Sequence, residues 1–245
     1  MKFVKDFIDG LRSYTSVFQL ANQLKLWNYI FISGLISLAI GSILLWIGYS
    51  FYGDFGVWIS SFYPWERGAS LVQGLSKFVS SLAVLGVGLI LYKYAIIILL
   101  SPLMSVLSEK VEKHFKGDIK SQTLIEAGIS IVRGIRISGR NLFRELSLVL
   151  VLLILSFVPL LNVITTPLIF LVQAYYAGYG NMDYTMERHF KLKETVPFVR
   201  RHRGLAIGNG AVFLAILFIP ILGLLFAPAL ATCSSAIEVI KRIEA

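Results

Sequence analysis

Residues 146–182 read LSLVLVLLILSFVPLLNVITTPLIFLVQAYYAGYGNM and hold no charged side chain across 37 positions. Pro159 and Pro167 cut this run in its middle. Residues 204–237 are again without charge for 34 positions, and Pro220 and Pro228 cut them in the same way. At an offset of 61 positions the two runs match at Phe157/Phe218, Pro159/Pro220, Leu161/Leu222 and Pro167/Pro228, and their basic lead-ins match at Arg140/Arg201. This is the pattern of an internal repeat.

Each run is apolar enough for lipid but awkward in length. Two helical spans need about 40 apolar residues plus a turn, and the runs supply 37 and 34. The arm 146–158 has 13 residues, roughly 20 Å of helix against a hydrocarbon core of about 30 Å. Proline lacks an amide hydrogen and clashes with the preceding turn, so Pro159, Pro167, Pro220 and Pro228 are expected to break their helices. The reading is a re-entrant hairpin per run that dips in, turns between its prolines and returns to the same face. Irregular backbone at membrane depth is tolerated only against protein or a water-filled cavity, so two such loops suggest an aqueous path or burial in an oligomer. One long kinked span per run is the alternative.

The 245 residues are 56% hydrophobic and only 15% charged, with a mean hydropathy of +0.75. Those values exclude an ordinary soluble domain and indicate a polytopic membrane protein. The net charge of +9 would suit nucleic acid, but the charges sit between hydrophobic runs. The single cysteine, Cys233, has no internal partner for a disulfide. The first long apolar run has full-span length and no small-residue cleavage site after it, so no cleavable signal is expected.

Residues 1–23 read as an amphipathic helix. Phe3, Phe7, Leu11, Tyr14 and Phe18 recur at three- and four-residue steps, with Lys2, Lys5, Asp6, Asp9 and Arg12 between them. Such a helix lies in the headgroup layer or packs on the protein's own polar face. Residues 27–53 form a first span, in which Ser33, Ser37 and Gly41 fall four apart. Small residues so spaced allow close helix approach, within the chain or in an oligomer. Phe55, Trp58, Phe62, Tyr63 and Trp65 then suggest an interfacial aromatic belt.

Residues 78–107 form a second span, with Lys93 as its one charge. An ionisable group there is a functional candidate, or a lysine snorkelling to the nearer interface. Pro102 is expected to bend the helix, which then continues into water. Thr123 and Glu126 are spaced as a capping box opening a further helix. On it Arg133, Arg136, Arg140 and Arg144 recur at steps of three, four and four, so they share one face. This stripe gathers anions at a pore mouth or holds lipid phosphates. Arg200, Arg201 and Arg203 repeat the theme before the second run. His189 and His202 lack metal-ligand spacing and are read as solvated.

Charge sorts the loops. Four Lys or Arg precede Trp27, eight lie in 108–145 and six in 180–204, against only Arg67 and Lys77 in the aromatic loop. Placing every basic loop in the cytoplasm requires two crossings, two runs that return to their own side, and both termini inside. The fold expected is therefore an all-α polytopic membrane protein. It has two full transmembrane helices, two re-entrant helical hairpins and an N-terminal amphipathic helix, in a single membrane domain.

A family resemblance rests on specific residues. Ser101-Pro102-Leu103 followed by Ser108-Glu109-Lys110-Val111-Glu112 resembles the Pro…Ala-Glu-Lys-Val-Glu signature of the CysZ sulfate permeases, whose superfamily includes the etoposide-induced membrane proteins. Asn181-Met182-Asp183-Tyr184 and Arg200-Arg201-His202-Arg203 before Gly208-Asn209-Gly210 also look like family motifs. The resemblance spans nearly the whole chain. It implies a bacterial inner-membrane protein with two spanning helices, two half-inserted helix pairs and an oligomeric channel passing sulfate for cysteine synthesis. The family's Gly-Leu-Arg-Arg motif, tied to sulfate binding, falls by position on Lys25-Leu26-Trp27-Asn28. The paired arginines are absent here, and Lys25 supplies one charge without an arginine's bidentate fork.

The leading expectation is an anion channel or permease, with sulfate as first substrate, lipid as surroundings and a homo-oligomer as assembly. Its candidate anion or pore residues are Lys25, Lys93, Arg133, Arg136, Arg140, Arg144, Arg200, Arg201 and Arg203. No P-loop is present, so ATP hydrolysis by this chain is not expected, and no cofactor or metal is called for. The alternative is a non-transporting scaffold that binds lipid or protein through its basic cytoplasmic face. An intramembrane enzyme is the weakest reading, since no His-Glu-x-x-His, Gly-x-Ser-x-Gly or paired aspartates occur in the apolar runs.

Overall fold

A computed structural model describes residues 2–60, 92–117, 124–156, 159–219 and 221–244, with side chains not described at 51–60, 124–127, 130 and 159–160. The described residues are helical and contain no strand. In chain order the helices are α1 (Lys2–Gln23), α2 (Trp27–Ser60), α3 (Tyr92–Leu99), α4 (Ser101–Lys116), α5 (Leu124–Ser156), α6 (Pro159–Met186), α7 (Leu192–Arg201), α8 (Arg203–Leu217) and α9 (Leu222–Ile243). Phe62, Tyr63, Trp65, Arg67, Lys77, residues 78–91, Thr123, Phe157 and Pro220 lie outside the described residues.

Each run is divided between two helices that pack on one another, and the first helix of each ends at positions 61 apart. α5 ends at Ser156 and α6 starts at Pro159, while α8 ends at Leu217 and α9 starts at Leu222. The turns are tighter than the proline spacing suggested. Pro159 opens α6, where a missing amide hydrogen costs nothing. Pro167 and Pro228 lie inside α6 and α9, which correct their reading as breakers. A mid-helix proline frees the carbonyl four residues earlier. For Pro228 that carbonyl belongs to Leu224, and the Tyr92 hydroxyl reaches it at 3.5 Å.

These unbroken helices also correct the length argument. α5 runs for 33 residues straight from the polar connector into its apolar arm. Trp27–Ser50, Leu161–Met186 and Leu222–Ile243 are each long and apolar enough to cross a membrane. The chain is thus an all-helical protein with three candidate spans among the described residues. Burial divides them where length does not. Leu161, Val163, Ile164, Leu168, Phe170 and Leu171 in the first half of α6 are exposed, while Ala174, Ala177, Tyr179, Met182 and Met186 in its second half are buried. For Leu222–Ile243, 83% of the apolar window is buried within the protein, against 28% for Trp27–Ser50. α9 is the central post of the bundle, and α2 is a peripheral helix with apolar residues facing outward.

Small residues set the packing of that bundle. Ala174 and Gly178 on α6 meet Gly210 and Ala206 on α8, so that a Cβ added at Gly210 would stand 1.8 Å from the Ala174 carbonyl oxygen and one at Gly178 would stand 1.9 Å from that of Ala206. The positions pair in opposite order, so the helices cross antiparallel with backbones nearly touching. α1 lies on α8 in the same manner, with Gly204 against Phe3 and Gly208 against Phe7. Gly34 meets the Leu225 backbone and Gly41 the Leu224 side chain, while Ser33 and Ser37 are buried. The small-residue stripe of α2 is therefore internal packing. Asn209 ties three helices together: its amide donates to the Ala231 carbonyl at 3.0 Å, and its side-chain oxygen accepts from Asn181 at 3.0 Å.

α1 packs through Asp6, Gly10, Ser13, Tyr14, Val17, Leu20 and Ala21, so that Tyr14 is the one member of its aromatic stripe to be fully buried. Phe3, Val4, Ile8 and Phe18 remain exposed. The helix thus has one face on the protein and a second, apolar face open to its surroundings. Pro102 sits in the first turn of α4, and the α3–α4 pair bends by 65° there, as expected of a proline. α4 does not then enter water: Ser108, Glu109, Val111 and Glu112 are buried.

Candidate anion site

The charged residues cluster at the end of the bundle where α5, the second half of α6, α7 and the start of α8 meet. The arginine stripe of α5 lies along the edge of its packed face, so its members divide. Arg133 and Arg140 are half-buried, whereas Arg136 and Arg144 are exposed.

Arg133 is a strut. Its Nε and Nη2 donate to the Asp183 carboxylate at 3.1 and 2.9 Å, and its Nη1 donates to the Phe190 carbonyl at 2.8 Å. This bidentate fork consumes the cation, and Asp183 is itself buried. Arg140 is differently placed. Its Nη2 donates to the Tyr179 hydroxyl at 2.7 Å and to Asn141 Oδ1 at 3.2 Å, and the guanidinium lies 5.2 Å from the Tyr179 ring centre. Its Nε is buried and meets no acceptor among the described residues. Among the described residues Arg140 therefore forms no ion pair with a carboxylate, although its charge acts on Asp183, and it has a donor to spare.

Tyr175, Tyr176 and Tyr179 of α6 form the wall beside Arg140. Tyr179 hydrogen-bonds Thr195 of α7 at 2.7 Å. Arg140 and Arg200 both act electrostatically on the Tyr175 hydroxyl, and Arg144 and Arg140 act on that of Tyr176. Arg140 touches Tyr179 directly, while Arg200 and Arg144, from two parts of the sequence, are near enough to Tyr175 and Tyr176 to act on them through their charge. Three cations and several hydroxyls are a donor set for an oxyanion, and guanidinium is the side chain best shaped to hold one.

The other candidates lie elsewhere. Lys25 is exposed in the α1–α2 turn at a φ of 52°. Arg201 and Arg203 are exposed, the latter stacked 5.7 Å from the Phe3 ring centre. Lys93 does not snorkel: it is 2% exposed and pairs with Glu145. Among the signature residues, Glu109 pairs with Lys113 at 2.8 Å and Lys110 lies over the Tyr29 ring. Glu112 accepts from Arg188 Nε at 2.8 Å and meets His189 Nε2 at 2.5 Å. Glu112 thus clamps α4 to the α6–α7 connector, whereas the Glu109–Lys113 pair lies within α4.

Sequence reasoning missed two clusters. His202 is buried rather than solvated, and His189, although exposed, meets the Glu112 carboxylate. At the α1 end, Arg242 donates to Asp6 at 3.0 Å, to Asp9 at 2.9 Å and to Glu238 at 2.5 Å, and His202 Nδ1 lies 3.2 Å from Asp6. The C-terminal residues therefore lock α1 onto α8 and α9.

Burial lowers the pKa of His202 from its usual 6.5; Asp6 pulls it up, while Lys2 and Arg242 push it further down. Burial wins, so the folded chain binds this proton more weakly than the unfolded one. The stability contributed by the neutral ring is complete above about pH 6.5 and is lost as pH falls from there toward the depressed folded value. The melting temperature is expected to drop on acidification through that window, and His202→Asn should flatten the drop. Parallel profiles for the two proteins would contradict this.

The family signal is broad. The sequence model for "Sulfate transporter CysZ/Etoposide-induced protein 2.4" matches residues 14–228. The chain belongs to this CysZ/etoposide-induced protein family. It is 27% identical over 221 residues to the sulfate transporter CysZ of Pseudomonas syringae pv. tomato, covering 88% of this chain and 82% of that protein. It is 35% identical over 136 residues to the protein of the same name from Pseudomonas aeruginosa strain LESB58, covering 54% of this chain and 55% of that one. The CysZ resemblance drawn from the α4 signature is thereby shown over most of the chain.

Proposed function

We propose that this chain is a CysZ-like anion channel or permease of the bacterial inner membrane, with sulfate as its substrate. The carrying observation is Arg140, a half-buried guanidinium whose Nε meets no acceptor and which forms no ion pair among the described residues, with Arg144 and Arg200 acting on the same tyrosines through their charge. The printed names of the CysZ relatives support sulfate as the anion. The first half of α6 and the apolar arm of α5 carry the exposed apolar side chains, while the second half of α6 is buried among charges. That division supports half-inserted hairpins, with the basic site at their foot, the connector of α7 in the cytoplasm and both termini on the same side. The exposed apolar face of α5 at Ile129, Val132, Ile135 and Phe143 supports a homo-oligomer.

Uptake of radiolabelled sulfate into proteoliposomes tests the reading. Arg140→Gln removes a charge-assisted donor set of about 1.5–3 kcal/mol, so flux is expected to fall roughly tenfold or more. Protein with no flux of sulfate, thiosulfate or chloride would contradict transport. The exposed Arg136, Arg201 and Arg203 favour a second reading, a scaffold that holds lipid phosphates or a protein partner. Under it Arg201→Gln changes lipid association, and no variant carries current.

A further inference from the structure

Lys93 of α3 and Glu145 of α5 meet where α5 passes from its arginine stripe to its apolar arm. Lys93 Nζ donates to both oxygens of the Glu145 carboxylate, at 2.5 and 2.6 Å, and the Tyr94 hydroxyl donates to Oε2 at 2.7 Å. The side chains of the pair are 3% and 0% exposed. Arg144 immediately precedes Glu145, and Tyr176 feels Arg144, Glu145 and Arg140 together. A buried cation, Lys93, is thus held by the residue that follows the exposed Arg144 on α5, and the chain's own carboxylate sits on it.

Stability does not account for the arrangement. Replacing a buried ion pair by apolar side chains is often neutral or favourable, and α3 and α5 have no lack of apolar residues to offer. What the arrangement does provide is a fitted oxyanion site. An ammonium and a phenol hydroxyl converge on two carboxylate oxygens, and they are the same donors that an oxygen-bearing anion needs.

We propose that Glu145 is a tethered gate: its carboxylate occupies, on Lys93 and Tyr94, the site that a permeating oxyanion takes when the glutamate swings away. This rests on the anion-transport reading above. With Glu145 seated, Lys93 is neutralised and the carboxylate repels an incoming dianion. With Glu145 displaced, Lys93 and Tyr94 receive the oxyanion, and Arg140 and Arg144 supply counter-charge alongside. Exchange of one anion for the other keeps the buried ammonium paired throughout, which avoids the cost of a bare charge at depth.

The test compares wild-type, Glu145→Gln and Lys93→Met/Glu145→Gln proteins. Two readouts are taken: radiolabelled sulfate flux in proteoliposomes, and the rise in melting temperature in detergent when sodium sulfate replaces sodium gluconate. A minor open form populated at about 10% would let Glu145→Gln raise flux up to about tenfold. Sulfate should also protect Glu145→Gln more than it protects wild type, and the added Lys93→Met should abolish both gains. Glu145→Gln with wild-type melting but flux at or below wild type, and with no added sulfate protection, would overturn the gate. Should Glu145→Gln fail to fold, Glu145→Asp draws the carboxylate back by one methylene: raised flux supports the gate, and lowered flux with lowered melting overturns it. Absence of flux in wild type would defeat the transport reading alone, because sulfate protection that requires Lys93 still reports the site.

Discussion

Replacing Arg133 by methionine is expected to lower the stability of the folded chain by about 3–5 kcal/mol, the usual cost of stripping one partner from a buried pair. Asp183 would keep its place in the core, 6% exposed, with its bidentate donor gone. The Phe190 carbonyl would also lose the donor that fixes the start of the α6–α7 connector. The double variant Arg133→Met/Asp183→Leu should recover most of the loss, because an apolar pair of similar size tolerates the same site. Thermal unfolding in detergent measures both steps. Sulfate flux in the double variant then separates a strut from a ligand. Flux near the wild-type level is expected, since Arg133 spends its donors on Asp183 and Phe190. A single variant with unchanged melting would contradict the strut.

Gly210→Ala should be nearly as damaging. One added methyl group would sit 1.8 Å from the Ala174 carbonyl oxygen and 2.8 Å from the Gly178 nitrogen. Both obstacles are backbone, so no rotamer change relieves them, and α6 and α8 must move apart. Overpacking of this sort typically costs 1–3 kcal/mol, and with rigid partners about 3 kcal/mol or more is expected. Gly178→Ala should behave alike, with its Cβ 1.9 Å from the Ala206 oxygen. Gly139→Ala is the contrast. Nothing lies within 4 Å of a Cβ there, and alanine gains up to about 1 kcal/mol in helix propensity. Equal melting temperatures for Gly139→Ala and Gly210→Ala would contradict the close α6–α8 crossing.

The repeat was readable because it concerned composition: charge-free runs and proline positions survive as one-dimensional features. The first helix of each run ends at matching positions, Ser156 and Leu217. Proline itself was over-read. Pro167 and Pro228 sit in helices that continue, and at Pro228 the freed Leu224 carbonyl meets a hydroxyl from Tyr92, which is 132 positions before Leu224 in the chain. No local pattern announces such a partner. The small-residue spacing on α2 was noticed, yet the same spacing at Ala174/Gly178 and Ala206/Gly210 makes the closer crossing. Spacing alone does not rank the two, because closeness depends on what the facing helix offers: Gly178 meets Ala206 and Gly210 meets Ala174, small residues on both sides.

The site divides in the same way. The common face of Arg133, Arg136, Arg140 and Arg144 followed from helical periodicity and is real. Which members are spent on carboxylates depends on Asp183, which periodicity cannot place opposite Arg133. Arg140 and Arg200 both act on Tyr175 although 60 positions separate them. The locks at His202, Asp6 and Arg242 join the two ends of the chain, so neither end alone predicts the other.

The side of the membrane that receives the α7 connector separates returning hairpins from single kinked spans. Lys193 is exposed in that connector, and Cys233 is buried. Lys193→Cys in a Cys233→Ala background, expressed in intact cells, gives the measurement with a membrane-impermeant maleimide. Labelling only after the cytoplasmic face is opened is predicted. Labelling in intact cells would place the connector outside and contradict both the returning hairpins and the basic site at their foot.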